Sequence, residues 1–229
     1  MAFYFIDIFS NIRLKDIELF AELYQTLSTE FSHIIKPNND RLASLLYYKG
    51  LKFKQFKPQL DKEEIINLYS KESPLYYIAW DKFDGLKYGF PNLEVNSKIN
   101  SISPLDCAIK YGSELCFNYL RNQGAKYTAE SSRYAIQSGN QNIFSQMLYD
   151  GQSFDNMIDI ALDYHNFEIA EYLKSNLGQV PSSIAESMYY GNYDIASYLL
   201  TNGANINKAY NNFRFISINV SWNSTCFSY

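Results

Sequence analysis

The sequence predicts an all-α fold, a solenoid of stacked helix pairs, and three observations predict it. Apolar residues recur at helical spacing, small residues and glycines punctuate them at fixed offsets, and the whole pattern repeats every 26 to 27 residues. A period in this range marks an array of supersecondary units, each too small to bury its apolar face alone and therefore stacked on its neighbours.

The repeat is aligned on Gly112, Gly139, His165 and Gly191, spaced by 27, 26 and 26 residues. Four residues earlier stand Ala108, Ala135, Ala161 and Ser187; four later come Cys116, Ile143, Ile169 and Ile195. Leu120, Met147, Leu173 and Leu199 follow at the eighth position, and Gly124, Gly151, Leu177 and Gly203 at the twelfth. The fourth and eighth positions lie on one stripe of an amphipathic second helix. The small residue lets two short helices approach, and the two glycine columns suit left-handed turns that end each helix. His165 is admissible in such a turn, because histidine is among the residues enriched at positive φ.

Upstream elements are read in the same way. Residues 73–80, SPLYYIAW, restate the opening SPLD of residues 103–106 and predict a degenerate unit. The stretch Ile17, Leu19, Phe20, Leu23, Tyr24, Leu27 and Phe31 predicts an amphipathic helix, and Leu42, Leu46 and Gly50 a second, together an N-terminal cap. Between them and the array, Asp61 before Glu63 and Glu64 predicts a short capped helix. The expected organisation is a capping region at 1–60 and an array at 61–207, with units near 73–102, 103–128, 129–155, 156–179 and 180–207. The tail at 208–229 lacks an opening motif and reads as an irregular or disordered, truncated or frame-altered end.

With 229 residues, 47% of them hydrophobic and 17% aromatic, the chain can build a substantial core. Its 24 acidic and 20 basic side chains give a net charge of −4, which argues against a general polyanion binder and hence against nucleic acid. Cys107, Cys116 and Cys226 form no CxxC pair and read as thiols of a reducing compartment. The N-terminus, MAFYFIDIFSN, has no basic region and no small-residue cleavage site, and no window approaches a membrane span; the expected location is cytoplasmic.

Candidate chemistry is sparse. His33 and His165 fall in different units, so neither a metal site nor a Cys–His nucleophile is indicated. GxGxxG, GxxxxGK[ST], HExxH and GxSxG are absent from the sequence, and no cofactor, catalytic or metal residue is assigned. Lys49, Lys52, Lys54 and Lys57 interleave with Phe53 and Phe56, which reads as a linker whose aromatics turn inward. Asp159 and Asp163 share a helix face and read as a solvated patch.

These residues resemble the ankyrin repeat, whose unit opens T-P-L-H and ends G-A-D-V-N. Ser103, Pro104, Leu105, Asp106, Ala108, Gly112, Leu120, Gly124 and Ala125 fill the pattern in one unit. Gly191, Leu199, Leu200, Gly203, Ala204, Asn205, Ile206 and Asn207 fill it in another. More narrowly, YAIQSGN and IALDYHNFEIAEYLKSN look like a short-loop ankyrin subfamily present in large sets in parasitic protists. The usual unit is about 33 residues, so the resemblance implies an ankyrin-type solenoid whose hairpin loops are shortened. Asp106 stands where the motif has histidine, and His165 and Leu177 where it has glycine.

The resemblance further implies a non-catalytic module that grips a protein partner on its concave face, at the two residues before each reference position. Those are Lys110 and Tyr111, Gln137 and Ser138, Asp163 and Tyr164, Tyr189 and Tyr190, with Trp80 and Asp81 their equivalents in the degenerate unit. Five of the ten are aromatic, the residue class that dominates interface hot spots. The alternatives are a segment of a longer array with no partner of its own and, more remotely, an enzyme.

Overall fold

Five helices of this chain begin where the side chain just before them satisfies a free amide of the first turn. The computed structural model describes residues 2–181. Asn39 accepts from the amides of Arg41 and Leu42, Asp61 from Glu64 at 2.8 Å, Ser73 from Leu75, Ser103 from Asp106, and Asn140 from Ile143 at 2.9 Å. The described elements are all helical: α1 (Ala2–Ile12), a 3-10 turn at Leu14–Asp16, α2 (Ile17–Glu30), α3 (Asp40–Tyr48) and α4 (Lys62–Asn67). They continue as α5 (Pro74–Ala79), α6 (Phe83–Gly89), α7 (Pro104–Lys110), α8 (Glu114–Asn122), α9 (Ser131–Ser138), α10 (Gln141–Tyr149), α11 (Ile158–Asp163) and α12 (Phe167–Leu177).

From α5 onward the helices pair, α5 with α6 through α11 with α12, and the first helices α5, α7, α9 and α11 pack side by side in chain order. The sequence columns are the core of this stack. Ala108, Ala135 and Ala161, the apolar positions Cys116, Ile143 and Ile169, and Leu120, Met147 and Leu173 are all at most 2% exposed. Gly112, Gly139 and His165 have φ of 64°, 69° and 57°, so the turn column is left-handed whether or not it holds glycine. Gly124 and Gly151 close α8 and α10 at positive φ. In α12 the helix runs two residues further than in α8 and α10: Leu177 stays helical and Gly178, at φ 64°, takes the turn instead.

The connection between α6 and α7 keeps a hairpin tip, with Ile99 and Ile102 exchanging backbone hydrogen bonds across Asn100 and Ser101, both at positive φ. The later connections are short and form no bridge among the described residues. Where the tip is lost, polar side chains tie units together. The buried Asp106 carboxylate accepts from Thr128 Oγ1 at 2.8 Å and Ser131 Oγ at 2.5 Å, so the residue that departs from the motif serves as an acceptor for the next unit. Asp150 accepts from Tyr127 and Arg121, both at 2.6 Å, and the Arg121 guanidinium lies 4.4 Å from the Tyr127 ring centroid.

The N-terminal helices form a separate cluster. Ile6, Ile17, Ala21, Tyr24, Leu42, Leu45, Leu46, Phe53 and Ile65 are buried together, with Phe56 packed against them, so the aromatics of the lysine-rich linker do turn inward. One helix was not anticipated, and one expectation needs correction. Residues 2–12 are a helix, docked through Ile6 and through Asp7 and Ser10, which bond Asn39. Of the apolar stripe read on α2, Leu19, Leu23 and Phe31 are exposed, and the buried face is Ile17, Ala21, Tyr24 and Ser28. That is the face α1 and α3 pack against.

Candidate functional site

Every first helix among the described residues of the stack ends in the same geometry: a terminal residue, a left-handed turn residue, then the first residue of the second-helix segment. The terminal residues are Trp80, Tyr111, Ser138 and Tyr164, and the turn residues are Asp81, Gly112, Gly139 and His165. The residue after the turn reaches back to the preceding unit. Ser113 Oγ donates to the Ala79 carbonyl at 3.1 Å and Asn140 Nδ2 to the Gly112 carbonyl at 3.2 Å. Asn166 Nδ2 donates to Ile136 at 2.7 Å and Gln137 at 3.1 Å. These bonds satisfy carbonyls at helix ends that have no intrahelical partner. They set the spacing of the row of helix ends.

This ladder was missed by the column analysis, although its signal was present. Gly139-Asn140, His165-Asn166 and Gly191-Asn192 share an asparagine after the turn residue, and the last of these lies outside the described residues. The ladder also explains glycine at 139. A Cβ there would stand 2.2 Å from Asn166 Oδ1.

Lys110, Tyr111, Gln137, Ser138, Asp163 and Tyr164 stand at the ends of their first helices, each half-buried. The degenerate unit is shifted by one. Helix α5 is one residue shorter than α7, so Asp81, at φ 53°, takes the turn position of Gly112, and Ala79 and Trp80 are the equivalents of Lys110 and Tyr111. Asp81 caps the next unit instead, its carboxylate accepting from the amides of Leu115 at 3.2 Å and Cys116 at 2.9 Å. Tyr189 and Tyr190 lie outside the described residues.

The row carries three described aromatics, Trp80, Tyr111 and Tyr164, and is partly covered by the chain itself. Trp80 is held by its indole N–H donating to the Asn67 carbonyl at 2.9 Å. Tyr111 meets Tyr69 edge-on, with ring centroids 6.0 Å apart. From the N-terminal helices, Lys15 Nζ donates to the Tyr111 carbonyl at 2.9 Å, and the Phe9 ring lies 4.9 Å from His165. Burial raises the pKa values of Tyr69, Tyr111 and Tyr164 above the ordinary phenol range and lowers those of Lys15 and Lys110. The phenols are therefore neutral hydrogen-bonding groups at physiological pH.

The histidines do not converge. His33 packs near Phe3 and His165 near Phe9 and Phe167. Cys107 and Cys116 are buried, with Sγ 3.8 Å from the Leu75 carbonyl and 3.7 Å from the Tyr77 carbonyl. Burial pushes the Cys107 thiol up to about 12 and raises Cys116 as well, so neither is a ready thiolate nucleophile. Among the described residues no group of three histidine, cysteine or carboxylate side chains could hold a metal ion, and no helix is long and apolar enough to cross a membrane.

No protein-family model matches the chain. A probable serine/threonine-protein kinase KIN1 homolog of Enterocytozoon bieneusi (strain H348) is 26% identical over 136 residues, 57% of this chain. The match takes up 22% of that protein's length, so the chain spans about a fifth of the curated relative. Among solved structures, the human ASB11 ankyrin repeat domain is similar with a TM-score of 0.47 and 23% identity, over 58% of this chain and 70% of that one.

Proposed function

We propose that the stack is a protein-binding module whose helix-end row, from Trp80 through Tyr111, Gln137, Ser138, Asp163 and Tyr164, grips a partner. The observation that carries this reading is the repeated helix-end geometry, which sets an aromatic side chain at the matched position in three of the four described units, Ser138 in the other, on inter-unit hydrogen bonds. A row fixed before the partner arrives lowers the ordering cost of association. Neutral phenols and an indole offer large apolar area with a polar tip, the usual chemistry of interface anchors. Raised thiol pKa values and separated histidines leave the row better suited to contact than to bond making. The kinase-named relative is matched over a minor part of its length, and its name is not carried to this chain. The ankyrin-type reading of the array, with its fifth unit at 180–207 and a cytoplasmic setting, belongs to the same proposal.

The test is affinity capture from lysate with the wild-type chain and with a Gln137→Arg, Ser138→Arg variant, which crowds the row at half-buried polar positions. Both chains are first matched by circular dichroism. A protein retained by the wild type and lost by the variant supports the row; one retained equally by both places binding elsewhere.

A further inference from the structure

We infer that the slot between Trp80 and Tyr111 is a lysine-receiving subsite, filled in cis by Lys15 and open to a lysine of an incoming basic segment when Lys15 withdraws. The inference rests on reading the row as a binding surface and names the chemistry of one position on it. The Lys15 ammonium donates to the Tyr111 carbonyl at 2.9 Å and stands 5.8 Å from the Trp80 ring centroid and 6.0 Å from that of Tyr111. Two π faces and a carbonyl suit an ammonium, and that carbonyl sits at the C-terminal end of α7, where the helix dipole is negative.

The walls of the slot are held without Lys15. Trp80 is anchored by Asn67, and Tyr111 is packed on Tyr69, whose hydroxyl lies 3.5 Å from that of Tyr111. The occupant, by contrast, belongs to the turn between α1 and α2. Those helices pack chiefly within the N-terminal cluster, and their contacts with the row include Lys15 and the pairing of Phe9 with His165. Withdrawing Lys15 therefore leaves both the N-terminal core and the stack intact. Burial disfavours the charged form of Lys15, and the Asp81 carboxylate acts on it through space in the opposite sense. A preformed slot with a tethered occupant favours a ligand that repeats the tether's chemistry: an alkylammonium on a flexible stem.

The experiment uses the full chain carrying Trp222→Phe, so that Trp80 is its only tryptophan. Lys15→Ala empties the slot, and n-butylammonium chloride, a lysine side-chain surrogate, is titrated while Trp80 fluorescence is read. The expected result is a saturable return of the emission toward that of the parent, at roughly tenfold lower concentration than n-butanol requires. The Lys15-containing parent should not respond. An emission change no greater with n-butylammonium than with n-butanol, or an equal response in the parent, overturns the subsite. If Lys15→Ala alters the circular dichroism, Lys15→Met retains the stem and is titrated with methylammonium, read by the same criteria. The titration needs no partner: a partner lost on altering Gln137 and Ser138 would still support the row if the subsite failed, and the subsite could stand if capture failed.

Discussion

The Tyr77 ring occupies the space that a side chain at Gly85 would need: a Cβ on Gly85 would stand 2.4 Å from Tyr77 Cδ1 and 2.5 Å from Cε1. The turn bonds explain the pairing. Lys82 N–H to Tyr77 matches Ser113 N–H to Ala108, so Tyr77 holds the small-residue position and Gly85 the position of Cys116. In this unit the large and small residues have exchanged helices.

The exchange predicts a change of sign. Gly85→Ala should destabilise the wild-type chain by about 1–3 kcal/mol, the cost of overpacking. In a Tyr77→Ala background the same substitution should stabilise by about 0.5–1 kcal/mol, because only the helix-propensity gain remains. Urea denaturation of the four chains checks this.

Asn166→Ala should cost about 1–2 kcal/mol, since it strips the side-chain donor from two carbonyls of the preceding unit. Asn166→Asp should cost more, because a carboxylate would then face those carbonyls. Equal urea midpoints for wild type and Asn166→Ala would remove the ladder from the account.

The pH dependence of the Arg121–Asp150–Tyr127 group has a definite sign. Burial raises the Asp150 pKa, but hydrogen bonds from Tyr127 and Gln146 and the charge of Arg121 outweigh it and hold the group below the ordinary carboxylate range. Its contribution is present above the unfolded value of about 3.9 and is lost as pH falls through the lower folded value. Asp150→Asn should therefore be less stable than wild type by a constant margin above about pH 5, with the gap closing toward pH 2. A gap that widens on acidification contradicts the assignment.

Cys107 and Cys116 should resist a thiol reagent at pH 8 in a Cys226→Ser chain and react only as the protein unfolds. Labelling faster than global unfolding would mean that the stack opens locally at α7 or α8.

Most of the stack was legible because its columns answer physical requirements that leave residue-level traces. Ala108, Ala135 and Ala161 are small because two helices touch there, and Gly112 and Gly139 mark left-handed turns. The first unit's register was obscured because Tyr77 and Gly85 satisfy the same volume requirement from opposite helices, which a column of small residues does not reveal. On α2, Leu19 and Leu23 looked like core, yet hydrophobicity alone does not say which of two apolar stripes meets a neighbour. At the site, Tyr111 and Tyr164 were found as helix ends, while Lys15 was not, because a contact spanning 96 residues leaves no periodic signal.

The most direct measurement of the central proposal is site-specific photo-crosslinking in lysate, with benzoylphenylalanine placed at Gln137 in the row or at Tyr149, which is 88% exposed on α10. The account predicts a higher-mass adduct from position 137 and none from 149. An adduct from 149 alone, or none from either, would contradict it.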